Sequence, residues 1–272
     1  MSPRLCLITG ASAGIGAAFA RTYARHGWDV ALTARRRERL DALAAEIREA
    51  HGVETLVLPA DLAEPSAPGA LIAEIEGAGR AVDGLVNNAG YGGRPGFASG
   101  EWRAHAAFLQ VMLTAPIELA HRVAPRMDER GFGRIVNVAS LAGMLPSTAG
   151  DILYGPAKSF LIKFSRGLRR EMTGRGVHVT ALCPGYTLSE FHDANGAREA
   201  VTRAVPPWMW MSAADTAEAG YAAVEANRAI AVPGLAYKTA AAMLKALPDD
   251  LTFALTAGHA RKLDARKGDG VA

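Results

Sequence analysis

Tyr154 and Lys158 stand four residues apart in a stretch whose apolar positions recur at helical spacing, so both side chains project from one helix face. An ammonium beside a phenol stabilises the phenolate and draws the tyrosine pKa down from its reference of about 10. A tyrosine so placed can give a proton to a carbonyl oxygen or take one from an alcohol. An ordinary exposed helix pair has the same spacing, so the pair gains meaning from what precedes it. Ser140 closes the apolar run Arg134 to Ala139 just ahead of that helix. Its hydroxyl can stabilise the negative charge that builds on a carbonyl oxygen.

A second chemical stretch lies at the start of the chain. Leu5 to Ile8 is an apolar run, glycines follow at positions 10, 14 and 16, and Ile15, Ala18, Phe19, Thr22 and Tyr23 then recur at helical spacing up to Gly27. This reads as strand, tight turn, helix. Glycine lets the backbone approach a phosphate closely, and the new helix aims its free N–H groups at the anion. A dinucleotide fits such a turn, although Gly-x-x-x-Gly-x-Gly is not the commoner Gly-x-Gly-x-x-Gly spacing.

The elements that must position these residues alternate. Val30 to Ala34 reads as a second strand, followed by a helix with Leu40, Leu43, Ala44 and Ile47 on one face and Gly52 at its end. Further strands are expected at Thr55 to Leu58, from Gly84 into Asn87 and Asn88, at Arg134 to Ala139, at Val177 to Cys183 and at Ala229 to Val232. Between them lie helices marked by Leu71, Ile72 and Ile75, by a long stretch from Glu101 to Met127 bent at Pro116 and Pro125, and by Tyr154 to Met172 with Phe160, Leu161, Phe164 and Leu168 inward. This alternation predicts an α/β fold, a Rossmann-type doubly wound parallel sheet flanked by helices. Ligands in such sheets bind at the carboxyl ends of the strands.

The chain has 272 residues, of which 50% are hydrophobic and 21% charged, as in a globular protein with a full core. A single domain is expected over residues 1–260, with a polar, glycine-containing, disordered tail at 261–272. The net charge is +3 and the pI about 9.0, but positive and negative residues are interspersed, so no nucleic-acid partner is indicated. Cys6 and Cys183 lie in apolar runs without a Cys-x-x-Cys pair, which fits buried free thiols in a reducing compartment and no metal site. The N-terminus enters a strand within five residues and no apolar run is long enough to cross a bilayer, so a cytoplasmic protein is expected.

Thr9-Gly10-x-x-x-Gly14-Ile15-Gly16, Asn87-Asn88-Ala89-Gly90, Ser140, Tyr154-x-x-x-Lys158 and Pro184-Gly185, in this order, closely resemble the classical short-chain dehydrogenases/reductases over about residues 4–191. The resemblance implies a nicotinamide cofactor and hydride transfer to or from a carbonyl or secondary alcohol carbon of a small molecule. It implies that Tyr154 is the acid/base, that Lys158 binds the nicotinamide ribose and lowers the tyrosine pKa, and that Ser140 hydrogen-bonds the substrate oxygen. Gly10, Ser12, Gly14, Ile15 and Gly16 resemble the pyrophosphate and ribose loop, Asp61 the adenine contact, and Asn88, Ala89 and Gly90 the adenosine lining. Pro184, Gly185 and Ser189 resemble the stretch beside the nicotinamide carboxamide. For Asn87, a tie between neighbouring strands and a cofactor contact are both open. A homodimer or homotetramer is expected.

Two departures stand out. Met112 occupies the place of an asparagine that in the family supports a proton-relaying water. The interval from Ser140 to Tyr154 is one residue longer than usual, an insertion assigned to the loop near Gly150 and Asp151. Met112 motivates a competing reading, an NADP-binding redox sensor or interaction protein with little turnover. Cofactor choice turns on the end of the second strand, where an acidic residue favours NAD and an arginine pairs a 2′-phosphate. Here Arg35 and Arg36 follow Ala34, so NADP is favoured, NAD remaining possible, with Arg35 the first contact and Arg36 the second. The segment Val205-Pro-Pro-Trp-Met-Trp-Met211 is open between an apolar substrate pocket, core, a subunit contact and a membrane-touching patch, with membrane contact disfavoured. An amphipathic helix is expected after Pro233 and Gly234.

Overall fold

In the computed structural model, which describes residues 3–92, 97–145, 152–190, 203, 205–246 and 251, strand β1 (Leu5–Thr9) pairs in parallel with both β2 (Asp29–Thr33) and β4 (Val82–Asn87). β3 (Thr55–Val57) lies outside β2, and β5 (Gly133–Val138), β6 (Val177–Leu182) and β7 (Ile230–Ala231) continue beyond β4. Among the described residues this gives a seven-stranded parallel sheet in the order β3-β2-β1-β4-β5-β6-β7. The chain winds outward to β3 and then returns to β4, so the direction of winding reverses between β1 and β4. A crevice opens at the carboxyl ends of those strands.

The strands are apolar on both sides because both faces are covered. Leu5 and Leu7 of β1 point to one layer and Cys6 and Ile8 to the other, the two-residue alternation of a pleated strand. The first layer consists of α3 (Ala67–Gly77), α5 (Ala115–Glu129) and α6 (Tyr154–Glu171). The second consists of α1 (Gly14–Arg25), α2 (Arg37–His51) and α7 (Ala213–Glu225). Leu40, Leu43, Ala44 and Ile47 form the buried stripe of α2, where each large aliphatic chain contributes roughly 1.5–3 kcal/mol. The expected strands and helices are present, with boundaries shifted by one or two residues.

Three features differ from the sequence expectation. The inward face of α6 is Ala157, Lys158, Leu161, Ile162 and Ser165, whereas Phe160 is 43% exposed and stacks on Phe164. Phe160 lies outside the arc that positions 158, 161, 162 and 165 define at 3.6 residues per turn. The long helical stretch breaks once, where α4 (Trp102–Leu109) passes through a π-turn at Gln110–Thr114 into α5, and α5 runs on through Pro125. Pro116 lacks the N–H that an α-helix would direct to the Met112 carbonyl, which places the irregular turn just ahead of it.

Helix α7 had no apolar stripe to announce it. Its buried side is Thr216, Ala217, Gly220, Ala223 and Val224, and a Cβ on Gly220 would stand 2.6 Å from the Phe19 ring of α1. Small residues bring these two helices close. The available signal was Ser212-x-x-Asp215, a capping pattern in which Ser212 Oγ accepts from Asp215 N at 2.9 Å.

The expected helix after Gly234 is α8 (Leu235–Ala246). No described helix is long and apolar enough to cross a membrane. The proposed insertion at Gly150 and Asp151 and the 261–272 tail lie outside the described residues.

Candidate active site

Paired polar contacts tie the carboxyl ends of β1 and β4 together at the crevice. Thr9 Oγ1 accepts from the backbone N–H groups of Asn88 (2.9 Å) and Ala89 (3.0 Å) and donates to the Val86 carbonyl. In return Asn88 Nδ2 donates to the carbonyls of Thr9 (2.9 Å) and Gly10 (3.3 Å). The Asn88 side chain therefore braces the glycine loop, while Ala89 and Gly90 line the crevice beyond it. Gly90 backs onto Met112, whose Sδ would stand 2.9 Å from a Cβ there.

The loop itself leaves no space for side chains at its glycines. Gly10 and Gly14 have φ of +66° and +55°, conformations that L side chains rarely adopt. A Cβ on Gly16 would fall 2.2 Å from the Gly10 carbonyl oxygen, so α1 starts pressed against the loop. No side chain caps α1 and its first turn carries no acid, which leaves the amides around Ile15 and Gly16 and the positive helix end facing outward. These features fit a dinucleotide pyrophosphate.

The two arginines after β2 part company. Arg35 is exposed and, among the described residues, makes no hydrogen bond or ion pair. Arg36 turns to the loop, with Nε and Nη2 donating to Ser12 Oγ at 3.3 and 2.9 Å. Its Nη1 meets Glu190 Oε2 at 2.9 Å. Of the two arginines expected at the 2′-phosphate, Arg36 is thus the one tied to the glycine loop. Asp61, past the end of β3, is exposed and its Oδ1 accepts from Ala63 N at 3.0 Å, shaping a turn at the far rim of the crevice.

Ser140 and the pair Tyr154 and Lys158 stand on two elements that touch through their backbones. Ser140 ends β5 and caps a short 3-10 helix, Leu141–Met144, with Oγ accepting from Ala142 N at 3.1 Å. That helix lies on α6 at Gly143, where a Cβ would stand 2.6 Å from the Lys158 carbonyl carbon and from Ser159 N. Tyr154 is the first residue of α6 and is half-buried, and one turn later Lys158 is buried, with Nζ 5.6 Å from the centre of the Tyr154 ring. Lys158 Nζ donates to the Val138 carbonyl at 2.7 Å. Burial holds its pKa down at about 8, with the nearby Cys183 opposing. Burial likewise pushes the Cys183 thiol up to about 12, partly offset by Lys158 and the Ser140 backbone.

Behind this group is a cavity of about 10 Å³, bounded among others by Asn87, Met112, Pro116, Val138 and Lys158. Asn87 Nδ2 donates to the Pro116 carbonyl (3.1 Å) and to Asn137 Oδ1 (2.9 Å). Asn137 in turn donates to Ser165 Oγ. The chain ties β4 to β5, α5 and α6, so the strand-tie alternative for Asn87 describes its contacts. Its buried Oδ1 has no donor among the described residues. Met112 is buried in an apolar cluster with Phe108 and Ala157, against Tyr91 and Tyr154.

The far wall follows β6. Pro184 accepts from Leu141 N at 2.9 Å, joining this turn to the Ser140 segment. The ring of Tyr237 in α8 covers Gly185, where a Cβ would overlap it at 2.2 Å. Its hydroxyl donates to the Met209 carbonyl (2.6 Å) and accepts from Tyr186 N (3.1 Å). Nothing local in the sequence marked Tyr237 for this. Ser189 rests on Gly14, whose added Cβ would come 2.8 Å from Ser189 Cβ. The aromatic segment divides: Trp208 is 71% exposed, while Trp210 packs on Tyr186 with Met209 and Val205.

The sequence profile described as short chain dehydrogenase matches residues 4–200. The serine 3-dehydrogenase of Agrobacterium fabrum is 37% identical over 190 residues, covering 68% of this chain and 72% of that one. A short-chain dehydrogenase from Sphingobium yanoikuyae in complex with NADPH superposes with a TM-score of 0.78 at 33% identity, over 88% of this chain and 92% of that one. The bulky-bulky ketone specific alcohol dehydrogenase from Comamonas testosteroni gives a TM-score of 0.74 at 27% identity, over 91% and 96%.

Proposed function

The chain belongs to the short chain dehydrogenase family, and on that premise we propose that it is an NADP-dependent oxidoreductase that interconverts a carbonyl and a secondary alcohol on a largely apolar small molecule, with Tyr154 as acid/base. The observation that supports this reading is the packing of the Ser140 segment on α6 at Gly143, with Tyr154 and Lys158 one turn apart on that helix. When bound, the nicotinamide supplies or receives the hydride.

The chain's own residues do the rest. An Oγ that accepts from Ala142 N keeps its proton to donate, so Ser140 can hold the substrate oxygen and stabilise charge developing on it. Tyr154 gives that oxygen a proton in reduction and takes it back in oxidation. The Lys158 ammonium, buried where charges interact strongly, favours the phenolate and so lowers the cost of each transfer. Lys158 and Tyr154 would also hold the nicotinamide ribose.

Gly10, Ser12, Gly14, Ile15 and Gly16 would hold the pyrophosphate, and Asp61, Asn88, Ala89 and Gly90 would line the adenosine. Pro184, Gly185 and Ser189 would flank the carboxamide. Arg36, joined to Ser12, would receive the 2′-phosphate, which supports NADP, as does the NADPH in the Sphingobium yanoikuyae relative. Partly buried Met209 and Trp210, and the ketone specificity named for the Comamonas testosteroni relative, support an apolar substrate.

The second reading, a sensor with little turnover, draws on Met112. The test is oxidation of NADPH and NADH by the purified protein over a panel of apolar aldehydes and ketones, with cofactor binding measured in parallel. Faster oxidation of NADPH with at least one carbonyl is expected. Tight NADPH binding without turnover across the panel would move the assignment to the sensor.

A further inference from the structure

Glu190 joins two places that are distant in sequence. Its carboxylate meets Arg36 Nη1 at 2.9 Å through one oxygen and Arg39 Nη1 through the other. Arg36 and Arg39 are neighbours across the start of α2, three residues apart on one helix face. The remaining nitrogens of Arg36 are on Ser12 of the glycine loop, and Ser189, just before Glu190, rests on Gly14 of the same loop. One carboxylate from the segment after β6 therefore occupies the guanidinium pair at the ribose end of the crevice.

We propose that Glu190 is a built-in anion standing in the 2′-phosphate position, so that NADP(H) binds by exchanging its phosphate for this carboxylate while NAD(H) leaves the carboxylate in place. The proposal rests on the NADP reading above and adds a residue that sets the strength of cofactor discrimination. A 2′-phosphate carries more charge than a carboxylate and matches guanidinium donors bidentately, so it wins the exchange. The exchange is inexpensive because all three side chains are 43–49% exposed, where ion pairs are individually weak. Glu190 thus lowers NADP affinity by the fraction of time that it holds the arginines.

The test is calorimetric titration of the whole protein with adenosine 2′,5′-bisphosphate, NADPH and NADH, comparing the natural chain with Glu190→Gln. The amide keeps the size of the side chain and removes its charge. Binding of the two 2′-phosphate ligands is expected to tighten about fivefold, close to 1 kcal/mol. NADH binding should stay within about twofold. Unchanged or weaker binding of both phosphate ligands would overturn the exchange and make Glu190 either irrelevant or a support for Arg36. If instead the natural chain binds NADH as tightly as NADPH, and Arg36→Ala alters neither, the underlying NADP reading fails and the proposal with it.

Discussion

Lys158 Nζ lies 5.6 Å from the centre of the Tyr154 ring and is tied to the Val138 carbonyl at 2.7 Å, so the ammonium is fixed to the sheet rather than free to follow solvent. For a proton-transferring tyrosine, the charge that stabilises its phenolate is part of the core. Tyr154→Phe keeps the ring and removes only the hydroxyl. Turnover should fall by roughly 10²–10⁴-fold, the usual contribution of a general acid or base. NADPH affinity should barely change, and a variant retaining substantial activity would remove Tyr154 from the acid/base role.

The burial of Lys158 has a pH signature. Its folded pKa is about 8, and an unfolded lysine titrates at about 10.4. Between these values the unfolded chain holds a proton that the folded chain has lost, so raising the pH through this window favours the folded state. The gain is on the order of 3 kcal/mol. Raised pKa values of the buried Cys6 and Cys183 act in the opposite direction, so the measurement is the stability difference between the natural chain and Lys158→Met from pH 7 to 10. That difference should shift in favour of the natural chain as the pH rises. A flat difference would mean that Lys158 is better solvated than its position suggests.

Arg36 and Arg35 should separate in a binding assay. Arg36→Ala removes the guanidinium joined to Ser12 and should weaken NADPH by roughly 10–100-fold, as expected for charge-assisted hydrogen bonds. Arg35→Ala removes an exposed charge and should change affinity by no more than about threefold. The reverse order would support Arg35 as the first contact, the assignment read from sequence.

Gly143→Ala tests the seam between the Ser140 segment and α6. The new Cβ would meet backbone atoms of Lys158 and Ser159 at 2.6 Å, which neither element can yield without moving. Overpacking of this kind costs about 1–3 kcal/mol. Thermal denaturation should register the cost, and kcat should fall while NADPH binding is kept. Normal kcat in a destabilised variant would show that the seam serves stability alone.

What the sequence disclosed was local. The strand-turn-helix at residues 5–25 and the Tyr154–Lys158 pair depend on spacings within a few residues, and apolar periodicity marks them directly. Helix α7 escaped because alanine and glycine make close helix contacts without raising apolar contrast. Phe160 was misplaced because a large apolar residue was weighed above its angular position. Which of Arg35 and Arg36 turns to Ser12 depends on the direction in which the chain enters α2, and one residue of register rotates a side chain by about 100°. Tyr237 covers Gly185 from 52 positions downstream in the chain, and Glu190 reaches Arg36 from 154. Such pairings follow from the assembled sheet and leave no local trace.

The sheet order also sets a timetable for synthesis. β1 lies between β2 and β4, and β4 begins at Val82. While the ribosome extends the chain from residue 33 to 82, roughly 2–10 s at about 5–20 residues per second, β1 can pair on one side only. For that interval Leu5 to Thr9 presents an open, apolar strand edge of the kind that templates aggregation. The same late arrival of β4 that completes the crevice between β1 and β4 leaves the edge of the first strand open until the fourth is made.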